Sequence, residues 1–472
     1  MFSKNKVLRL LCFTLSVYIG GLFGFAIQNV AAQDDVRTIQ NFTLRDAVAI
    51  GIKTHPEYGL VAASRRATDE ELKQGRSLFL PSIDVNADTG VEYSDDPGTR
   101  DGADSDDSET LWRYETGVTL RQLLFDGWEA HYEVNRQKAR VRSSAFRVKE
   151  TAELVGLSIV EAYLEVIRQR QLLMIARRNV AEHNEIMKQI QDGINGGRST
   201  FTDAEQIKAR LASARANESI IRQALRTAEA EYNRDVGEFP GELMLPEVPF
   251  DILADDVDEE VKLVLSHNPT IALSKADIEV AYAEAEKTKS TLYPQVDLQI
   301  NARHGNDLSG TEGDDTSATA LVVMDWNLYR GGADIARARE FIYRHQQSKD
   351  ERTNVTRSIE NDVRATWSSM ISAGERAQQF SAQADANVAV VQSYKDQFNL
   401  DRRTLLDVLD SQNELFVSRS NTVNAAFLEM FAVYRLLALR GTLMSALGIE
   451  HSAESTITAG ELWSTAETKK AY

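Results

Sequence analysis

The feature that most constrains this 472-residue chain is that its pattern occurs twice. His55-Pro56 returns as Asn268-Pro269 and Leu80-Pro81 as Tyr293-Pro294, both 213 positions later. Leu123-Leu124-Phe125-Asp126-Gly127 returns as Asn327-Leu328-Tyr329-Arg330-Gly331 at an offset of 204, and Asp203 meets Asp407 at the same 204. A colinear series whose offset drops once, by nine, marks a duplication in which one loop is shorter. The chain must therefore fold as two versions of one unit, expected over 33–237 and 259–450. The segment 238–258 between them carries Pro240, Pro246 and Pro249 and reads as a surface linker.

Proline placement indicates what each unit contains. All eight prolines lie at 56, 81, 97, 240, 246, 249, 269 and 294, so 98–239 and 295–472 are free of the residue that breaks helices. From 129 to about 192 the chain is rich in Ala, Glu, Arg, Gln and Leu, with Leu157, Val160, Leu164 and Ile167 spaced three, four, three. That is a long helix with a coiled-coil-like seam. Roughly 65 residues would reach about 95 Å. The stretch from 333 to about 397 repeats it with Ile335, Phe341, Ile359 and Val363. Each helix meets a break, at 193–197 or 399–401, and a second helix returns, which predicts helical hairpins over 129–237 and 333–448.

Strict alternation follows Pro81 and Pro294. Ile83, Val85, Ala87, Val91 and Tyr93 alternate with Asp84, Asn86, Asp88 and Glu92, and Trp112, Tyr114, Val118 and Leu120 with Arg113, Glu115, Thr119 and Arg121. Val296, Leu298, Ile300 and Ala302 then stand against Asp297, Gln299, Asn301 and Arg303, and Ala318 to Leu328 alternate likewise. These are strands wet on one face and apolar on the other, about ten residues each, the length of a tilted membrane strand. They form β-hairpins over 82–125 and 295–329. Four strands cannot close a lipid-embedded barrel, which needs at least about eight, and open edges are forbidden in lipid, so several copies must pool their strands. The loops at 94–110 and 305–315 are polar, glycine-rich and acidic; a solvated loop is preferred there to a calcium site, whose spacing is absent.

The amino-terminal residues indicate the compartment. Lys4, Lys6 and Arg9, an apolar run to Ile27 and the small residues Val30-Ala31-Ala32 make 1–32 a secretory signal peptide. Cys12, the only cysteine, lies inside it, so no disulfide is expected. Its removal takes the formal charge from -18 to -21, which argues against nucleic acid or anionic lipid as a partner. No later stretch approaches eighteen consecutive apolar residues, leaving strands to cross any membrane. Catalysis finds no support: the histidines at 55, 131, 183, 267, 304, 345 and 451 have no metal-ligand spacing, and no phosphate-binding loop or cofactor motif is present. The polar tail at 451–472, with Trp463, carries no assigned function.

The motifs His55-Pro56, Leu80-Pro81, Leu123 to Gly127, Tyr329-Arg330-Gly331-Gly332 and Arg402-Arg403-Thr404-Leu405-Leu406-Asp407-Val408-Leu409-Asp410, in this order, resemble the TolC family of outer-membrane efflux proteins. Within it they resemble the type I secretion branch that exports large adhesins. The resemblance implies a homotrimer with four transmembrane strands per protomer in a shared twelve-stranded barrel and a long periplasmic α-helical barrel. It also implies a periplasmic adaptor, an inner-membrane ABC transporter, an exported protein substrate and outer-membrane lipid as partners.

The resemblance further implies that Asp407 and Asp410, on one helix face, form carboxylate rings at a periplasmic gate, where like charges raise some pKa values or hold cations. Thr202, Asp203 and Arg403 match positions whose polar links close the gate. Phe398 stands where a tyrosine usually reaches the counterpart of Asp203, and Asp401 stands where glycine is usual. Two other readings compete with secretion: the same architecture serving proton-driven drug or metal efflux, and a structural envelope rod.

Overall fold

A computed structural model describes residues 42–95, 99 and 108–457. The expected signal peptide, most of the first acidic loop and Trp463 lie outside the described residues. Each copy reads helix, helix, strand, strand, long helix, return helix. The first copy comprises α1 (Leu44–Thr54), α2 (Pro56–Ser77), β1 (Ser82–Ser94), β2 (Glu109–Phe125), α3 (Glu129–Asn195) and α4 (Phe201–Val236). The second comprises α5 (Val257–His267), α6 (Pro269–Thr288), β3 (Gln295–Leu308), β4 (Thr311–Asp325), α7 (Ala333–Asn399) and α8 (Leu405–Arg440), followed by the single turn α9 (Leu443–Ala446).

Local chemistry places the joints. Thr43 and Asp46 form a reciprocal capping box that starts α1. Pro56 and Pro269 each open a helix at the position where a missing N–H costs nothing. The repeated His-Pro and Asn-Pro pairs are thus elbows between consecutive helices. At the far end of each unit Gly237 and Gly441, 204 apart, end α4 and α8 in the left-handed conformation at φ 92° and 74°. Both long helices run 67 residues without interruption.

The four strands make one antiparallel sheet in the order β1-β2-β3-β4, so the two hairpins join through β2 and β3. Register sorts the side chains by face. Ile83 pairs Leu120, Val85 pairs Val118 and Val91 pairs Trp112; Leu120 continues to Ile300, and Leu298 and Val296 to Val322 and Met324. One face is therefore apolar across all four strands, and it is open: Val85 is 75% exposed and Val322 66%. The opposite face carries a charge network in which Arg113 meets Asp88 at 3.0 Å and Glu92 at 3.1 Å, and Arg303 meets Asp315 at 3.0 Å.

The strands differ from expectation in length. They have 13, 17, 14 and 15 residues instead of about ten. The segment 305–315, expected as a loop, is largely strand. Asn306 still pairs Asp314, a bulge sets Asp307 (φ 58°) opposite two residues of β4, Glu312 and Gly313, and Ser309-Gly310 (φ 52° and 71°) closes a two-residue turn whose twist matches the strands. Conversely β4 stops at Asp325, so Trp326 and Leu328 continue the alternation in sequence but stand outside the sheet.

Three cores hold the helices. The largest joins α1, α3, α4, α8 and α9 around Ile159, Tyr163, Tyr232 and Leu437. There the Tyr163 hydroxyl donates to the Met244 carbonyl at 2.7 Å and lies 2.9 Å from that of Phe42, where Phe42 bridges Leu243 in parallel. A second core packs α5, α6, α7 and α8 around Val264, Val363 and Leu436. The third lies near the hairpin tips. Helix α8 departs from the expectation drawn from run length, because by length and composition it could cross a membrane. Its buried side chains, however, supply all three cores of this chain. The start of the tail is also placed: Glu454 pairs Arg66 of α2 at 3.2 Å.

Candidate functional site

The two return helices begin with the same device. Thr200 and Asp203 form a capping box at the start of α4, and Thr404 and Asp407 form its counterpart at α8. In each, the aspartate carboxylate accepts from the threonine backbone N–H and hydroxyl, at 2.9 and 2.8 Å for Asp203 and at 3.1 and 2.8 Å for Asp407. The turns before them are also matched. Gly197 adopts φ 72° and its repeat partner Asp401 φ 56°, a conformation that excludes most side chains but tolerates Asp. Beneath the turns Ile186, Ile190, Ile207, Leu405, Val408 and Leu409 are buried together, with Phe398 packed against them. Full burial of such a side chain contributes roughly 1.5–3 kcal/mol.

The sequence-predicted residues are distributed as follows. Asp407 and Asp410 both lie in the first two turns of α8. Asp407 is held by Thr404, and the hydroxyl, then the backbone N–H of that residue and the nearby Arg403 charge, keep its carboxyl below the usual aspartate value. Within one chain the neighbours of Asp407 are donors, whereas the crowding of carboxylates expected at a gate concerns several copies round one axis. Asp410 instead reaches Arg210 of α4 at 2.8 Å. Asp203 stays within its own cap, and Thr202 is exposed beside it. Arg403 remains on its own hairpin: its guanidinium lies 4.3 Å from the centre of the Tyr394 ring, donates to Gln397 at 3.1 Å and stands 3.9 Å from Asp407. Thr202, Asp203 and Arg403 are therefore not joined to one another within a single chain.

Other residues connect the two hairpins. Arg210 of α4 meets Asp410 of α8, and Lys395 of α7 meets Glu182 of α3 at 2.5 Å. Sequence reasoning missed both pairs. Their partners lie 200 and 213 positions apart, and surface Arg and Lys on helices are too common to stand out without coordinates. Among the described residues no group of three or more His, Cys, Asp or Glu is placed to hold a metal ion.

Comparison with known proteins agrees with this architecture. Residues 54–234 and 261–442 match the family described as Outer membrane efflux protein, one stretch per repeat. Outer membrane efflux protein BepC of Brucella suis is 25% identical over 406 residues, covering 85% of this chain and 86% of that protein. Alkaline protease secretion protein AprF of Pseudomonas aeruginosa is 22% identical over 416 residues, with 85% and 84% covered. Proteases secretion protein PrtF of Dickeya chrysanthemi is 24% identical over 420 residues, with 86% and 89% covered. Among solved structures, a membrane protein from Pseudomonas aeruginosa superposes with a TM-score of 0.75 at 14% identity, covering 84% of this chain and 90% of that one. The outer-membrane channel OprN gives 0.72 at 16%, covering 84% and 89%. The fold is that of the TolC-like channels.

Proposed function

The chain belongs to the outer membrane efflux protein family, and from that premise we propose that it is the outer-membrane channel of a type I secretion system. Members of this family are outer-membrane channels that extend into the periplasm, and they are not enzymes. The observation that carries the finer reading is that AprF and PrtF, matched over more than four-fifths of both chains, are named for protease secretion. Energy would come from an inner-membrane ABC transporter coupled through a periplasmic adaptor. The cargo would be a protein: the sequence resemblance favours a large repeat adhesin, and the names of these relatives favour a protease.

A single chain offers a four-stranded sheet with β1 and β4 as open edges and one continuous exposed apolar face. In lipid that face is favourable and the edges are not. Three copies, each β4 paired with the next β1, would close a twelve-stranded barrel and continue inward as a helical barrel. At the periplasmic end Asp407 and Asp410 would ring the axis, and links through Thr202, Asp203 and Arg403 would form between copies. The exposed apolar tips, Phe201 at 76% and Leu400 at 66%, would offer the adaptor a surface to grip.

Deletion of the gene tests the reading. Secretion predicts that a large surface protein, or a protease in the medium, is retained in the cell while drug susceptibility is unchanged. The name of BepC favours a second reading, small-molecule efflux, for which the deletion would sensitise cells to drugs and leave secreted proteins in place. For the gate, Arg403→Ala should raise the conductance of the channel in planar bilayers; an unaltered conductance would remove Arg403 from the closing links.

A further inference from the structure

Between the two hairpins, α3, α7 and α8 line a half-open cleft of about 130 Å³, with Arg178 of α3, itself exposed, and Arg419 of α8, partly buried, on its wall. Neither guanidinium forms an ion pair or hydrogen bond among the described residues. In a chain with 71 acidic and 53 basic residues, two arginines close enough for one charge to act on the other, neither with an acidic partner in contact, are unusual. The neighbouring carboxylates do not neutralise them. Glu182 is occupied by Lys395, and Asp385 attracts Arg419 only from beyond contact distance. Burial, and then the charge of Arg178, lower the pKa of Arg419. Glu182 and Lys395, paired with each other, also line the cleft, and its remaining polar groups are amides: Gln392, Gln412 and Asn179, whose buried side-chain oxygen has no partner. Turning the Asn179 amide over would present a donor instead.

We propose that this cleft binds a small tetrahedral oxyanion of the phosphate type, bridged by Arg178 and Arg419. Two planar guanidiniums and flanking amides supply the directed donors such an anion requires, and the cleft has room for one anion. Because Arg178 belongs to the first hairpin and Arg419 to the second, the bound anion fastens one to the other, as the Arg210–Asp410 pair does nearer the tips. Binding stands independently of the proposed gate; only its consequence for opening rests on that reading.

The test is thermal melting of the purified full-length assembly in detergent, with inorganic phosphate compared against chloride at equal ionic strength. The native protein should gain roughly 2–4 °C in phosphate. Arg419→Gln and Arg178→Gln should each abolish that gain, and Arg419→Gln should melt higher than the native protein in chloride because the repulsion is gone. Arg376→Gln, on the exposed surface of α7 where it bonds only the Ser372 carbonyl, should respond like the native protein. Absence of the gain in the native protein, or an equal gain in Arg178→Gln and Arg419→Gln, overturns the site. Bilayer conductance then addresses the gate separately: phosphate that raises the melting temperature but leaves the current unchanged would count against hairpin separation as the opening motion, not against the site.

Discussion

The two repeats share a backbone plan but place different chemistry at equivalent points. Where α1 meets the end of α4 in the first, Ala47 and Val236 are fully buried in an apolar core. Their partners in the second, at offsets of 213 and 204, are Glu260 and Arg440. These form a buried ion pair, with Glu260 fully shielded and the Arg440 Nε 3.0 Å from its carboxylate. The pair is also knitted to backbone: Arg440 donates to the Ile252 carbonyl at 2.9 Å, and Glu260 accepts from the Ala254 N–H at 3.1 Å. The first repeat thus closes this joint by packing, and the second uses polar groups that also hold the linker between the units. Duplication preserved the helices, elbows and terminal glycines, while the contents of the joints diverged.

The largest effect should come from breaking this joint unevenly. Glu260→Ala leaves Arg440 buried without its counter-charge and should destabilise the chain by about 3–5 kcal/mol, whereas Glu260→Ala with Arg440→Val imports the first repeat's solution and should recover most of that loss. Denaturant titration of both variants measures the difference; equal losses would mean that the ion pair, not its imbalance, sustains the second repeat.

A second contrast is smaller. Glu153 of α3 is buried in the main core, where one carboxylate oxygen accepts from the Leu443 N–H at 2.8 Å and the other has no partner. Its repeat counterpart, Arg357 of α7, is exposed. Burial raises the Glu153 carboxyl from its ordinary 4.5 to about 7, against the opposing pull of the Leu443 and Met444 N–H groups and Lys149. Between those values the folded chain keeps a proton that the unfolded chain has lost. Stability should therefore fall as pH rises across that window, by up to roughly 3 kcal/mol. Glu153→Gln should flatten that slope, and a slope that survives the substitution assigns it to other groups.

The repeat, the two hairpins of each kind and the facing of the strands were legible in the sequence because period and proline placement are local signals. The lengths of the strands were not: the turn at Ser309-Gly310 sits among acidic residues that read as loop, and only pairing with a partner strand draws Asn306 and Asp314 into the ladder. At the tips, the sequence marked Asp407 and Asp410 through a motif, but not that Asp407 is committed to the Thr404 cap. Arg210 carried no local signal at all, since its meaning depends on a helix 200 residues away.

A third contrast lies in the turns at the tips. Asp401→Gly restores the residue of the first repeat at a left-handed position and should stabilise the chain by about 0.5–1 kcal/mol, provided that the extra freedom of the unfolded glycine does not cancel the gain. A measured loss would show that the Asp401 side chain contributes something beyond tolerating its φ of 56°.

The smallest effect on stability should be the one that bears most directly on the channel. Arg210 and Asp410 have repeat counterparts Glu414 and Gln206, so the pair that crosses between hairpins has no symmetric twin. Both side chains are about half exposed, and an exposed pair of this kind contributes at most about 1 kcal/mol. Arg210→Ala should therefore leave the melting temperature almost unchanged. If hairpin separation opens the tip, the same substitution should nevertheless increase leak current in planar bilayers, and adding Asp410→Asn should cause little further change because the link is already lost. An additive increase would mean that Asp410 acts on the conducted ions independently of Arg210, as a member of a carboxylate ring rather than as half of a latch.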